Sequence, residues 1–162
     1  MGRERSSKQT ERKAKSKSRD GAREQVIADV MTPDPRTMDA RATVRDAAAL
    51  MRESDIGDVV VLENDRLCGI LTDRDIVVRV LADGGDPELV TVGDVCSRDL
   101  TVLPATARVE EAVTLIREKA IRRLPVVDDE GEVLGIVSIG DLAISRDRGS
   151  ALADVSAAPA NT

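Results

Sequence analysis

The sequence predicts an α/β (α+β) protein made of two tandem β-α-β-β-α units related by a pseudo-two-fold axis. Residues 29–64 recur as residues 94–129, with apolar residues at corresponding positions. Each copy has an amphipathic helical stretch followed by two short β-branched runs. Each copy ends in the same motif, GILTDRDI in residues 69–76 and GIVSIGDL in residues 135–142. Together these three observations predict an internal duplication.

The first unit, residues 26–85, opens with an extended segment or loop and continues into a helix. Thr43 and Asp46 form a capping-box pattern at the helix start, and apolar residues follow at helical spacing. Two β-branched runs separated by a polar turn predict a hairpin, and a second short helix ends near two glycines. The predicted elements are a helix that ends at Gly57, strands over 59–63 and 67–71 around the turn 64–66, and a helix over 75–82.

The second unit, residues 86–145, repeats this order. Its predicted elements are a helix over 109–120, a strand over 124–128, a turn over 129–132, a strand over 133–137 and a helix over 139–145. One such unit is too small to bury its own sheet well. We therefore expect the two units to pack sheet to sheet, which leaves clefts between them of the kind that ligands occupy.

Charge is unevenly distributed along the chain, whose formal net charge is −6. Residues 1–25 contain nine basic and four acidic residues, so the rest of the chain is strongly acidic. Their low apolar content predicts a disordered basic arm, which serves either as a solubilising tail or as a contact for nucleic acid or another acidic partner. Residues 146–162 lack a sustained apolar period and are predicted to form a flexible tail.

The composition restricts the chemistry that the chain can perform. It contains no His, Phe, Tyr or Trp. This removes the usual general base near neutral pH, the commonest metal ligand and the aromatic rings on which nucleic-acid bases stack. There is also no P-loop motif. We therefore predict that the chain is not an enzyme and has neither catalytic residues nor a metal site. The acidic body argues against general nucleic-acid binding, which leaves only residues 1–25 for such a contact.

The two cysteines, Cys68 and Cys96, lie far apart without CxxC spacing, so without His they make a poor zinc site. We interpret them as small buried apolar side chains in a reducing cytosol. No apolar stretch approaches the roughly 20 residues of a membrane span. The basic N-terminus lacks the apolar region of a secretory signal. The predicted location is the cytoplasm.

The repeated motif admits two interpretations. Thr72 precedes Asp75, and Ser138 precedes Asp141, at the spacing of a helix N-cap. In the first interpretation the motif only satisfies the unpaired amides at a helix start. A helix start also attracts phosphate through its free N–H groups and its dipole, and a carboxylate there can accept both hydroxyls of a ribose. The residues alone leave both interpretations open.

The segments IGDVVVLENDRLCGILTDRDI and IRRLPVVDDEGEVLGIVSIGDL resemble cystathionine β-synthase (CBS) domains. The order of features over residues 26–145 resembles a tandem CBS pair, or Bateman module. The chain is similar to small stand-alone bacterial two-CBS proteins, including the actinobacterial hypoxic-response type. The resemblance implies a non-catalytic sensor that needs no cofactor and pairs through its helices into a homodimer. It also implies an adenosine-containing ligand: AMP, ADP, ATP, S-adenosylmethionine or NAD.

The resemblance further assigns residues to two clefts. In each cleft the motif aspartate takes the ribose hydroxyls, the preceding Ser or Thr takes phosphate, and the opening segment of the other unit cradles the adenine. The stronger predicted site combines Thr72, Arg74, Asp75, Val102, Leu103, Arg122 and Arg123. The weaker predicted site combines Thr37, Met38, Ser138 and Asp141. It is weaker because Gly57 and Asp58 stand where the other cleft has two arginines, and an acid opposes phosphate binding.

Two functions follow from this reading of the chain. The leading prediction is a regulatory protein in which an adenine nucleotide changes the conformation or the contact with an unknown protein partner. The alternative is a ligand-free CBS-fold protein that acts in a stress response or in protein–protein interaction. In that alternative Asp75 and Asp141 act only as parts of helix caps.

Overall fold

The computed structural model describes residues 24–147 and 149–158. The predicted arm therefore lies outside the described residues, apart from Glu24 and Gln25. No helix in the described ranges is both long enough and apolar enough to cross a membrane. In chain order the structure contains a 3₁₀ turn (Ile27–Asp29), β1 (Thr32–Pro33), β2 (Thr37–Asp39), α1 (Val44–Ser54), β3 (Asp58–Glu63), β4 (Arg66–Thr72), α2 (Asp73–Asp75), which continues as a π-helix (Ile76–Leu81), α3 (Val92–Val95), β5 (Leu103–Pro104), α4 (Val109–Lys119), β6 (Arg123–Val127), β7 (Val133–Ser138), α5 (Ile139–Arg146) and α6 (Ala151–Ala157).

The strands form two sheets. One sheet has the order β2-β3-β4, with β2 parallel and β4 antiparallel to β3. The other has the order β1-β7-β6-β5, in which β5 runs parallel to β6 while β7 runs antiparallel to β6 and to β1. Both hairpins carry a register shift at equivalent places, between Val61 and Leu62 and between Val126 and Val127. The predicted α/β architecture of two repeated units is confirmed.

The first residues of each sequence repeat pack in the hydrophobic core of the other repeat. Ile27 is fully buried in the core formed by α4, β6 and β7, which belong to the second repeat. Val92 is fully buried in the core formed by α1, β3 and β4 of the first repeat. In the same way β1 pairs with β7, and Ser97 forms a β-bridge with Ile70 in β4. Each packing unit therefore contains the opening segment of the other repeat. Segments of both repeats lie side by side wherever the two units meet.

Helix α1 begins at the predicted cap and ends before the predicted stop. The Asp46 N–H donates to Thr43 Oγ1 at 3.1 Å, which satisfies one of the free amides of the first turn. The helix ends where Asp55 adopts a left-handed conformation with a φ of 55°. This conformation stops the helix at Ser54, so the sequence prediction of an end at Gly57 was slightly late.

The C-terminal segment, predicted to be a flexible tail, contains helix α6 packed against α5. Ser150 caps α6, and Ala153 on that helix is buried. A Cβ placed on Gly140 of α5 would lie only 2.7 Å from Ser156 Oγ of α6. The contact is made by small residues rather than by large apolar ones, so the helix has no strong apolar period for a sequence pattern to detect.

The capping box of α3 predicts a pH-dependent contribution to stability. Thr91 donates to Asp94 Oδ2 through its hydroxyl at 2.5 Å and its N–H at 3.2 Å, and these hydrogen bonds lower the pKa of the Asp94 carboxyl. A carboxyl with a lowered folded-state pKa stabilises the fold above its unfolded pKa of about 3.9 and loses that contribution as the pH falls. We expect Thr91→Val to lower the melting temperature more at neutral pH than near pH 3 in differential scanning calorimetry. An equal loss at both pH values would contradict this role for Asp94.

Candidate functional site

A cleft at the junction of the two repeats collects most of the residues predicted for the stronger site. We call it the Asp75 cleft, and its volume is about 310 Å³. Its walls are the end of β4 with the start of α2, the opening segment of the second repeat, and the start of β6. The described residues that line it are Ile70, Thr72, Asp73, Arg74, Asp75, Ser97, Asp99, Leu100, Thr101, Ile121, Arg122, Arg123 and Pro125.

A second cleft, which we call the Asp141 cleft, occupies the equivalent position across the pseudo-two-fold axis. Its volume is also about 310 Å³. The described residues that line it are Thr32, Asp34, Pro35, Arg36, Ile56, Asp58, Arg123, Ile136, Ser138 and Asp141. Most of these positions correspond to lining positions of the Asp75 cleft when the two repeats are aligned. The two clefts therefore share one architecture and differ in their side chains.

The structure brings together part of each predicted site. In the Asp75 cleft it places the predicted residues of the motif together with Arg122 and Arg123 at the start of β6, and in the Asp141 cleft it places both predicted motif residues. Neither Val102 nor Leu103 lines the Asp75 cleft: Leu103 belongs to β5 and lies in the core, and Val102, just before β5, is exposed. Thr37 and Met38 do not line the Asp141 cleft, because they belong to β2, which is paired with β3. In each repeat the cleft is lined by earlier residues of the same segment, 34–36 and 99–101.

The Asp75 carboxylate is held by contacts to both of its oxygens. Its Oδ2 accepts hydrogen bonds from the Thr72 N–H at 3.0 Å and the Thr72 hydroxyl at 2.7 Å. Thr72 Oγ1 in turn accepts from the Asp75 N–H at 3.2 Å, and α2 starts at Asp73 because Thr72 is its cap. The Asp75 Oδ1 lies 3.2 Å from Arg79 Nη2. The motif therefore acts as a helix cap in this cleft, whatever else it binds.

Arg79 is a residue of this site that the sequence analysis missed. Besides its ion pair with Asp75, it donates to the Val95 carbonyl at 2.7 Å and to Ser97 Oγ at 3.0 Å. It thereby joins the π-helix of the first repeat to the opening segment of the second, which forms a wall of the Asp75 cleft. The i,i+4 spacing of Asp75 and Arg79 is the signal that could have found it.

The Asp141 carboxylate is held at only one oxygen by the described residues. Its Oδ2 accepts from the Ser138 N–H and the Ser138 hydroxyl, both at 2.7 Å. No hydrogen bond or ion pair from the described part of the chain reaches its Oδ1. The position equivalent to Arg79 is Ser145, whose hydroxyl donates to Gln25 instead. The Asp141 cleft therefore offers a carboxylate oxygen that can accept a ligand hydroxyl.

An ion pair between Asp58 and Arg123 lies between the two clefts. Arg123 Nε is 2.6 Å from Asp58 Oδ1, and the two side chains are 31% and 16% exposed respectively. Burial raises the pKa of the Asp58 carboxyl above its ordinary value, and the Arg123 guanidinium opposes that rise. The nearby carboxylates of Asp73 and Asp141 raise this pKa further. Arg123 therefore serves as the countercharge in a largely acidic neighbourhood.

The glycine of each motif permits a close crossing of the two repeats. A Cβ at Gly69 would lie 2.5 Å from Cys96 Sγ, and a Cβ at Gly135 would lie 2.8 Å from the Thr32 carbonyl oxygen. Real Cβ atoms do not approach other atoms this closely. The absence of a side chain at these two positions therefore allows the opening segment of each repeat to close the cleft of the other.

The two thiols lie in the core of the first packing unit. Cys96 is buried and Cys68 is half-buried, and both are free. Burial raises the pKa of the Cys96 thiol, so it stays protonated near neutral pH. Among the described residues, no three His, Cys, Asp or Glu side chains are grouped so that they could hold a metal ion.

Curated relatives resemble the chain over most of its length. CBS domain-containing protein YhcV of Bacillus subtilis is 37% identical over 134 residues, which cover 80% of this chain and 94% of that one. Hypoxic response protein 1 of Mycobacterium tuberculosis is 37% identical over 116 residues, which cover 71% and 80%. Protein MK0525 of Methanopyrus kandleri is 38% identical over 117 residues, and the match spans 72% of this chain but only 60% of that relative.

Solved structures share the fold. Hypoxic Response Protein I with two coordinated zinc ions has a TM-score of 0.67 at 35% identity, covering 74% of this chain and 97% of that one. CBSX2 in complex with AMP has a TM-score of 0.64 at 26% identity, covering 74% and 94%. A hexameric CBS-CP12 protein from bloom-forming cyanobacteria has a TM-score of 0.70 at 32% identity, covering 79% and 75%.

A sequence model of the CBS domain matches residues 27–82 and 92–146. The chain therefore belongs to the CBS domain family and carries two such domains in tandem.

Proposed function

We propose that this chain is a non-catalytic regulatory protein that binds an adenosine-containing ligand in the Asp75 cleft and, more weakly, in the Asp141 cleft. The candidate ligands are AMP, ADP, ATP, S-adenosylmethionine and NAD, and no cofactor is required. The ligand would change the contact with a protein partner through its different affinity for two conformations. The proposed location is the cytoplasm.

One observation carries this proposal. The Asp75 cleft joins a helix start with a motif carboxylate to Arg74, Arg122 and Arg123 in a space of about 310 Å³. Guanidinium groups donate paired hydrogen bonds to phosphate. The amides at the start of α2 already have partners, because the N–H groups of Asp73, Arg74 and Asp75 donate within the described residues, so the arginines are the donors that remain. The volume lies at the lower end of the range for small-molecule sites, about 300 to 1,000 Å³. The AMP complex of CBSX2 supports this ligand class by similarity.

The proposal predicts a ligand-dependent rise in melting temperature. A ligand at one hundred times its dissociation constant adds about 2.7 kcal/mol of stability. We expect at least one of the five candidate ligands to raise the melting temperature of the wild type in a thermal-shift assay. We expect the rise to shrink strongly in Asp75→Ala, leaving only the weaker contribution of the Asp141 cleft, and to persist in Asp141→Ala.

The control for this experiment is Asp83→Ala, which removes an exposed carboxylate outside both clefts. It should leave the ligand-induced rise unchanged. Because Asp75→Ala also removes part of a helix cap, the ligand-induced change is compared within each variant rather than between their starting values. The absence of any rise in a folded wild type would contradict ligand binding.

A second candidate function is a ligand-free interaction protein of the same fold. The observation that favours it is the state of the Asp75 carboxylate, whose two oxygens are already engaged by Thr72 and Arg79. A ribose in this cleft must displace or share the Arg79 contact. If the aspartates act only as caps, Asp75→Ala lowers stability without changing any ligand response.

We further propose that two copies pair through the helical face that follows α2. Val77, Val78 and Leu81 are each about half exposed and follow one another on the short π-helix, and grouped apolar side chains of this kind mark interaction sites. A second copy of the chain would cover them. The related CBS-CP12 protein is a hexamer, so light scattering on the full chain is the measurement that distinguishes a dimer from a larger assembly.

The basic arm, residues 1–25, remains a proposed contact for nucleic acid or another acidic partner.

A further inference from the structure

The ion pair between Asp58 and Arg123 joins equivalent positions of the two repeats. Residue 58 corresponds to residue 123 in the alignment of residues 29–64 with 94–129. Asp58 is the first residue of β3 and Arg123 is the first residue of β6. Their contact at 2.6 Å therefore lies where the pseudo-two-fold axis brings the two repeats together.

Both side chains line the clefts to which the proposed function assigns ligand binding. Arg123 lines the Asp75 cleft and the Asp141 cleft, and Asp58 lines the Asp141 cleft. Arg123 meets Asp58 through Nε, so an anion that binds the guanidinium bidentately through Nε and one Nη must compete with this contact. The pair is about three-quarters shielded from water, so its charges interact more strongly than an exposed pair would.

We infer that Asp58 controls access to Arg123 and thereby makes the two clefts select ligands of different charge. This inference rests on the proposed function. A phosphate in the Asp75 cleft draws the Arg123 guanidinium away from Asp58. Asp58 is then left without its countercharge beside Asp34 and Asp141, with Arg36 as the basic residue that remains among the described lining, so the Asp141 cleft binds a second phosphate less readily. It accepts instead an adenosine derivative that is uncharged or positively charged.

The experiment compares Asp58→Asn with a matched control by isothermal titration calorimetry of the full chain. The substitution keeps the shape of the side chain and removes the charge that competes for Arg123. We expect the affinity for AMP to rise roughly tenfold, the size of one charge-assisted hydrogen bond. We expect the affinity for adenosine, which has no phosphate, to stay within about twofold. The double variant Asp58→Asn, Arg123→Gln should lose the gain.

The matched control is Asp83→Asn, which changes the net charge equally. Asp83 is exposed and lines neither cleft. If Asp83→Asn strengthens AMP binding as much as Asp58→Asn does, the effect is a general one of charge and the role of Asp58 is overturned.

The remaining outcomes separate this inference from the proposed function. If the wild type binds AMP and Asp58→Asn binds it equally well, the inference fails and the proposed function stands. If no variant binds adenosine, AMP or any of the other four candidate ligands, the proposed function fails. In that case inorganic phosphate is titrated while the Nε–H resonance of Arg123 is followed by NMR. A larger shift in Asp58→Asn than in the wild type supports control by Asp58, and equal shifts overturn it.

Discussion

Replacing Leu124 with alanine is expected to lower the free energy of unfolding by about 2–5 kcal/mol. Leu124 lies in β6 and is completely buried in the core that also receives Ile27 from the first repeat. The loss has two parts, the transfer free energy of the removed methyl groups and the cavity that they leave. Urea unfolding followed by circular dichroism measures the change.

The control for this variant is Leu89→Ala. Leu89 is 80% exposed, so its truncation removes little buried surface. We expect its effect to stay within about 0.5 kcal/mol of the wild type. If Leu124→Ala costs no more than Leu89→Ala, the side chain of Leu124 does not hold the core together as the structure indicates.

Replacing Gly135 with alanine is expected to destabilise the fold by about 1–3 kcal/mol, the usual cost of overpacking. The new Cβ would lie 2.8 Å from the Thr32 carbonyl oxygen and 2.6 Å from Met31 Sδ. The Met31 side chain can rotate, but the Thr32 oxygen belongs to the backbone of β1, which is paired with β7. The opening segment of the first repeat must therefore move away from the sheet.

This displacement has a consequence that a simple packing defect lacks. Thr32 lines the Asp141 cleft, so its movement should change ligand binding there more than in the Asp75 cleft. The control is Gly149→Ala, whose Cβ would lie at an ordinary 3.6 Å from Asp147 Oδ1, its nearest contact among the described residues. Equal melting temperatures for the two glycine variants would contradict the close crossing at Gly135.

Much of the fold could be predicted because its periodicities are local and occur twice. The helical spacing after Thr43 and the β-branched runs around residues 64–66 each indicate one element, and the second repeat supports the first. The helix caps at Thr72 and Ser138 follow from spacing alone, and the structure shows both. The clefts were expected because a single repeat cannot cover its own sheet.

The exchange of opening segments could not be predicted from the same patterns. Ile27 and Val92 are apolar in either arrangement, and nothing local says which sheet each one covers. The position of Leu103 in the core was hidden for the same reason, because a strand residue and the loop residue before it look alike until the pairing of β5 is known. Arg79 was missed because its partners Val95 and Ser97 lie in the other repeat.

The contact between Asp58 and Arg123 also bears on how such a chain can arise. In a homodimer of single CBS units, the residues that meet at the symmetry axis are two copies of the same residue. Two aspartates or two arginines there would repel each other. Once two copies are joined in one gene, each mutates separately, and an acid can face a base at that position. An ion pair at this position can therefore evolve in a chain with two fused repeats, but it cannot form in a symmetric dimer of single repeats.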